Sequence, residues 1–173
     1  MKMDLMAGSK NDEYYTPRYA VKPILQYVPI GCTVWCPFDL PQSNYVTMLR
    51  EHGCNVIATH IATGQDFFEY VPAEYDCIIS NPPYSCKTEV LQRLFALRKP
   101  FAMLVGVVGL FESKKRFEMF KNNDFEIMYM DKRCTFMTDY EIQIPNSHPP
   151  FQSVYLCHQM LPEKIIFERI EKV

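Results

Sequence analysis

Tyr75-Asp76-Cys77-Ile78-Ile79-Ser80-Asn81-Pro82-Pro83-Tyr84 is a short apolar run that stops at two prolines. Tyr75 to Ser80 reads as a buried strand, too short and too evenly apolar for an amphipathic helix. Each proline fixes its own φ and lacks an N–H, so the chain leaving this strand offers carbonyl oxygens and almost no main-chain donors.

Working outward from that corner, the same punctuation recurs. Upstream, Thr33 to Cys36 is a strand ended by Pro37. Asn44 to His52 has helical spacing at Tyr45, Met48 and Leu49, with Gly53 as its stop, and Asn55 to His60 is a second strand. Downstream, Thr88 to Leu97 carries a helical stripe at Val90, Leu91, Leu94, Phe95 and Leu97. Phe101 to Val108 is nearly continuous in its apolar character, as a strand covered on both faces must be. Ser113 to Asn122 reads as a helix and Glu126 to Met130 as a strand. Phe151 to Gln159 and Lys164 to Ile170 are strand-like runs joined by Met160-Leu161-Pro162-Glu163, which predicts a C-terminal antiparallel hairpin. Strands alternating with helices predict an α/β fold, a mostly parallel sheet with helices on both faces. Ligands of such sheets sit beyond the carboxyl ends of the strands. That rule selects the segments after Cys36, after His60 and after Ser80.

Composition sets the bounds. The chain has 173 residues, suited to a single domain over 1–173 with no separate target-recognition domain. No window reaches the roughly 18 apolar residues of a membrane span, and Met1 to Asn11 lacks the order of a secretory signal. A cytoplasmic protein with no membrane partner is expected. Seven cysteines (32, 36, 54, 77, 86, 134 and 157) are scattered without a Cys-x-x-Cys pair. They are read as reduced, buried thiols, with no metal assigned; a zinc site from Cys54, His52 and His60 is the alternative. Net charge is -2 at pH 7, so any surface for a polyanion must be local. Lys114, Lys115, Arg116, Lys132 and Arg133 are the candidates for phosphate contact; a plain solvated face is the other reading.

The corner after Ser80 carries the chemistry. The Asn81 side-chain oxygen and the Pro82 carbonyl can accept both hydrogens of a primary amine. Such bonds draw the nitrogen lone pair out of conjugation and aim it at an electrophile, while Pro83 keeps the turn rigid. Tyr84 adds a flat face on which a base can stack, a contact worth about 1–3 kcal/mol.

Asn81-Pro82-Pro83-Tyr84 after an apolar strand resembles the signature of the S-adenosylmethionine-dependent amino-methyltransferases. These include adenine-N6 DNA methyltransferases, some RNA adenine methyltransferases and the glutamine methyltransferases of release factors. Tyr14-Tyr15-Thr16-Pro17 is similar to the motif with which many adenine DNA methyltransferases begin, and small phage-type enzymes are the nearest in length. The resemblance spans roughly residues 12 to 136. It implies a Rossmann-like methyltransferase fold and S-adenosyl-L-methionine as cofactor, with Tyr15, Thr16 and Pro17 near its methionine part. It also implies that Asp66 accepts from the cofactor's adenine amine and that Phe67 packs against that ring; a simple turn after Gly64 is the other reading of Asp66. Where the family has a glycine-rich turn, this chain has Cys36-Pro37-Phe38-Asp39, with Asp39 as the polar substitute. Where the family ends its second strand with an acid, this chain has His60, which also suits a structural role. Phe136 resembles the aromatic that holds a flipped base against Tyr84; a core phenylalanine is equally consistent. Asn146-Ser147-His148-Pro149-Pro150 reads as a loop able to reach substrate.

The function expected is transfer of a methyl group to an exocyclic amine, adenine N6 in DNA or RNA. Transfer from a sulfonium needs alignment and no metal or covalent intermediate. A base within a duplex must first be swung out of the stack. Without a target-recognition domain, low sequence specificity, a short recognised site, single-stranded or structured RNA substrates, or a partner protein for target recognition is expected. The alternatives are a protein glutamine N5-methyltransferase and a catalytically silent binding module on the cofactor fold.

Overall fold

The computed structural model describes residues 15–137, the backbone of 145–147, and 151–172. In chain order the elements are α1 (Arg18–Leu25), β1 (Thr33–Cys36), α2 (Asn44–Glu51), β2 (Asn55–Ala58), β3 (Cys77–Ser80), α3 (Lys87–Leu97), β4 (Phe101–Gly106), α4 (Lys114–Lys121), β5 (Glu126–Met130), β6 (Phe136–Met137), β7 (Pro145–Ser147), β8 (Ser153–His158) and β9 (Ile165–Glu168). Seven strands form one sheet in the order β2-β1-β3-β4-β8-β5-β9, and β6 pairs with β7 in a separate small sheet.

The alternation of side chains along each strand sorts the core into two layers. Val34, Cys36, Cys77, Ile79, Ala102, Leu104, Met128, Tyr155 and Cys157 face α1 and α2. Trp35, Ile78, Phe101, Met103, Val105, Val154 and Leu156 face α3 and α4. Two covered faces demand strands apolar at every position, which is how the central runs read. Ser43 caps α2 by accepting from Val46 N at 3.2 Å, and Ser113 caps α4 by accepting from Arg116 N at 2.9 Å. Gly53 ends the α2 turn at φ 101°, a value that favours glycine.

The two C-terminal strands exist and run antiparallel to each other, but they do not pair as a hairpin. β8 inserts between β4 and β5, antiparallel to both, while β9 pairs with β5 in parallel at the sheet edge. Burial explains the placement: β8 is buried at five successive positions, Ser153 to Cys157, whereas β9 alternates between exposed and half-buried. A strand without a solvent face belongs inside the sheet.

Three further differences from the sequence reading arise. α1 forms despite Pro23 within it, because Ala20, Val21, Pro23 and Ile24 bury one face against the sheet. The strand after α2 ends at Ala58, two residues before the expected His60, and Ile61–Thr63 is a single 3-10 turn. Asn146 and Ser147 belong to β7, while residues 148–150 lie outside the described residues, as does Tyr14. No helix among the described residues is long and apolar enough to cross a membrane.

Candidate functional site

β1 and β3 are parallel neighbours, so their carboxyl ends deliver Pro37–Asp39 and Asn81–Tyr84 to the same rim. After Ser80 the chain stays extended through Pro83 and then makes a 3-10 turn, Tyr84–Cys86, that feeds α3. Pro82 is buried, while Asn81, Pro83 and Tyr84 are half-buried.

Tyr15, Thr16 and Pro17 lie against this corner. Tyr15 N donates to Met137 O at 3.2 Å and Met137 N to Tyr15 O at 2.9 Å, a bridge that docks the segment beside β6. Asn44 Nδ2 donates to Thr16 O at 2.9 Å, and Asn81 Nδ2 donates to Thr16 Oγ1 at 3.1 Å. Two segments 65 residues apart are thus joined by the amide expected to carry the chemistry.

That amide's orientation follows from a chain of hydroxyls. Tyr155 Oη donates to Ala20 O at 2.7 Å, and a carbonyl can only accept. Tyr45 Oη lies 3.0 Å from Tyr155 Oη and therefore donates to it. The Thr16 hydroxyl bonds to the Tyr45 phenol, so it donates there and accepts from Asn81. The direction set at Ala20 propagates to Asn81, whose nitrogen turns toward Thr16, leaving Oδ1 as the amide's acceptor. Both phenols are fully buried, and loss of hydration raises their pKa well above the ordinary value. They remain protonated donors at any physiological pH.

Asp39 sits beneath the rim and is buried. Its Oδ2 accepts from Ser80 Oγ at 2.5 Å, and its N–H donates to Thr59 O at 3.1 Å. The Asp39 carboxylate thus joins the ends of β1 and β3 from below. Burial raises its pKa from 3.8 to about 6, against hydrogen bonds from Ser80 and Ser43 that lower it. The folded protein then holds this proton more tightly than the unfolded chain does. The stabilisation is complete below about pH 4 and is lost as pH rises through about 6. Asp39→Asn, which mimics the protonated shape, is expected to flatten the stability curve between pH 4 and 6. It should also raise stability at pH 7 by on the order of 2–3 kcal/mol, read from thermal melts across pH 4–8.

Phe67 departs from the expected role. It is fully buried, with Trp35 at 5.6 Å, Phe38 at 4.9 Å and Phe68 at 5.5 Å between ring centroids, and the Arg93 guanidinium over its ring at 5.4 Å. Its ring is committed to the core, because β1 places Trp35 on that side of the sheet. Asp66 Oδ1 accepts from Phe68 N at 2.9 Å within the turn. Arg93 fastens the same loop to α3 through Phe67 O and Tyr70 O. His60 Nδ1 accepts from Ala62 N at 3.0 Å and caps the 3-10 turn. Cys36 is buried on the α1 and α2 side and Pro37 is buried beside it.

Tyr84 meets two rings edge-on: Phe136 at 6.4 Å and 75°, and Phe151 at 5.4 Å and 82°. Phe136 is buried, so the pair does not form two parallel faces; Phe136 is the wall on which Tyr84 leans. Phe151, missed in the sequence reading, reaches Tyr84 because Gly106 has no side chain. A Cβ there would stand 2.9 Å from the Phe151 ring.

The cationic cluster divides. Lys114 and Lys115 are exposed on the first turn of α4, and Lys132 and Arg133 are exposed after β5. Both pairs lie toward the rim where the strands end. Arg116 turns inward instead, donating to Leu110 O at 3.0 Å, to Thr88 Oγ1 at 2.6 Å and to Gly109 O. It fixes the loop after β4 and leaves the expected phosphate contact to its neighbours. Lys132 Nζ also donates to Ile170 O at 2.8 Å. The zinc alternative is not assembled: His52 Nε2 bonds Val28 O at 2.9 Å, and Cys54 lies beside Cys32 at 3.9 Å, both before β2, whereas His60 follows it.

No family model and no curated protein matches this sequence. Among solved structures, the fold is similar to a type I restriction-modification system methyltransferase subunit from Streptococcus thermophilus. The TM-score is 0.54 and the identity 13% over 93% of this chain and 48% of that one. The chain therefore spans about half the length of its structural neighbour, and the likeness is one of fold.

Proposed function

We propose that this chain is an S-adenosylmethionine-dependent N-methyltransferase that acts on an exocyclic amine, adenine N6 in DNA or RNA. The single observation carrying the reading is the Asn81–Thr16 hydrogen bond of 3.1 Å. It joins the amine-gripping corner to the segment whose resemblance points to the methionine end of the cofactor. The neighbour is by name a methyltransferase subunit of a restriction-modification system, which accords with a nucleic-acid acceptor.

The donor set suits a sulfonium nucleoside at the rim of β1 and β3. Thr16 and Pro17 would flank it on one side and the Pro37–Asp39 turn on the other, with His60 and Asp66 farther along the same edge. When bound, the cofactor supplies an electrophilic methyl group. The chain's own task is alignment. Asn81 Oδ1 and the Pro82 carbonyl accept the two amine protons, Pro83 holds the corner rigid, and Tyr84 supports the base, with no strong general base required. Lys114, Lys115, Lys132 and Arg133 would receive phosphates, and a partner protein would supply target recognition.

Calorimetry with S-adenosylmethionine, followed by incubation with tritiated cofactor and separate DNA and RNA pools, tests the reading. Saturable binding with label recovered as N6-methyladenine is expected. Absence of binding would favour the silent module, and label on protein glutamine would move the chain to the other branch. Substituting Lys114, Lys115, Lys132 and Arg133 together by Gln should weaken nucleic-acid binding and lower the salt slope by about 3–4, measured by fluorescence anisotropy over a salt series.

A further inference from the structure

β9 closes the sheet, and its outer edge carries exposed apolar side chains. Ile165 is 53% exposed, Phe167 75% and the adjacent Tyr129 47%, with Tyr129 and Phe167 in ring contact at 5.8 Å. An open, apolar edge strand is a template for pairing that proteins normally blunt or cover.

The backbone shows which groups are available. Ile127 N donates to Lys164 O at 2.8 Å and Asp131 N to Glu168 O at 3.1 Å. Since strand backbones alternate, Lys164, Ile166 and Glu168 turn their polar groups toward β5, and Ile165 and Phe167 turn theirs outward. An antiparallel strand laid on this edge with Ile166 opposite Ile166 would set Ile165 and Phe167 against each other as hydrogen-bonded pairs. That register is self-complementary in charge as well. Lys164 falls opposite Glu168, and Glu163 opposite Arg169. Sliding the second strand by one residue would face inward-turned groups with outward ones, and centring it on Ile165 or Phe167 would keep the backbone match but lose the pairing of Lys164 with Glu168.

We propose that β9 pairs antiparallel with β9 of a second copy of this chain about a two-fold axis at Ile166, continuing the sheet across the dimer. The apolar side chains Ile165 and Phe167 of the two copies cover each other beside Tyr129. The contact is isologous, and it closes after two copies. The rim charges select the register more than they add affinity. Lys164 already lies 3.2 Å from Asp124, and Glu168 already accepts from Tyr27 Oη at 2.9 Å.

Sedimentation velocity over a concentration series on the full chain tests the proposal, together with oxidation of Ile166→Cys. Opposed residues at the axis form a non-hydrogen-bonded pair with Cα atoms about 4.5 Å apart, within disulfide reach. A dimer is expected, with Ile166→Cys giving a covalent dimer that the unsubstituted chain does not give. Phe167→Glu, at a position too exposed to disturb folding, should weaken association by about tenfold or more. Arg169→Glu should weaken it, and adding Glu163→Arg should restore it. A monomer at every concentration overturns the proposal. So does a dimer insensitive to Phe167→Glu that forms no cross-link at position 166, since another surface, or another segment on this edge, would then be responsible.

Discussion

Asn81→Ala is expected to lower the rate of methyl transfer by about a hundredfold to a thousandfold while leaving S-adenosylmethionine affinity nearly unchanged. In the proposed mechanism the substitution removes the acceptor for one of the two amine protons. An unpositioned amine keeps its lone pair conjugated with the ring, so the loss falls on the transition state. In the proposed arrangement Thr16 and the turn after β1 would hold the cofactor, so its binding has little reason to change. Single-turnover transfer measured beside calorimetry separates the two terms. Unchanged turnover would remove Asn81 from the mechanism, and a parallel loss of cofactor affinity would make its role structural.

Thr16→Val has the second-largest expected effect. Valine keeps the shape but neither accepts from Asn81 Nδ2 nor donates to the Tyr45 phenol. The directional chain running to Ala20 O is cut in the middle, within the buried interior. Each buried polar group left unsatisfied costs about 1–3 kcal/mol. Stability should therefore fall by on the order of 2 kcal/mol, and turnover by about tenfold to a hundredfold as the Asn81 amide loses its set orientation. Thr16→Ser, which retains the hydroxyl, should recover most of the turnover. A Thr16→Val protein with lowered melting temperature but full turnover would show that Asn81 is oriented by other contacts.

Much of the fold was legible because a sheet covered on both faces leaves strands with no polar alternation and helices with one apolar stripe. Thr33–Cys36 and Glu126–Met130 have the bounds their residues predicted, and Lys87–Leu97 begins one residue earlier. α1 was not legible, since Pro17 and Pro23 suppress any helical reading of Arg18–Leu25 and only packing on the sheet overrides them. Pairing was not legible either. Phe151–Gln159 and Lys164–Ile170 are adjacent runs with a turn between them, and nothing local shows that β5 lies between β8 and β9. At the site, Asn81 could be named from residue type and order, and Thr16 only through the family resemblance. The hydroxyls of Tyr45 and Tyr155 could not, because a core tyrosine far away in sequence gives no sign of what its oxygen touches. Phe67 and Arg116 show the converse. Each has a residue type suited to ligand contact, yet one is spent on Trp35 and Phe38 and the other on loop carbonyls.

The position of β8 has a consequence for how the protein is made. β4 and β5 cannot be joined until residues 153–158 have left the ribosome, since that late strand supplies the ladder for both. A nascent chain that has already produced Phe101 to Met130 therefore carries three unmated strand edges, one on β4 and both on β5, for at least the interval in which the next twenty or so residues are synthesised. During translation this half-built sheet is the species most exposed to chaperones and to aggregation. Folding to completion waits on a contact with high sequence separation, and such contacts form slowly.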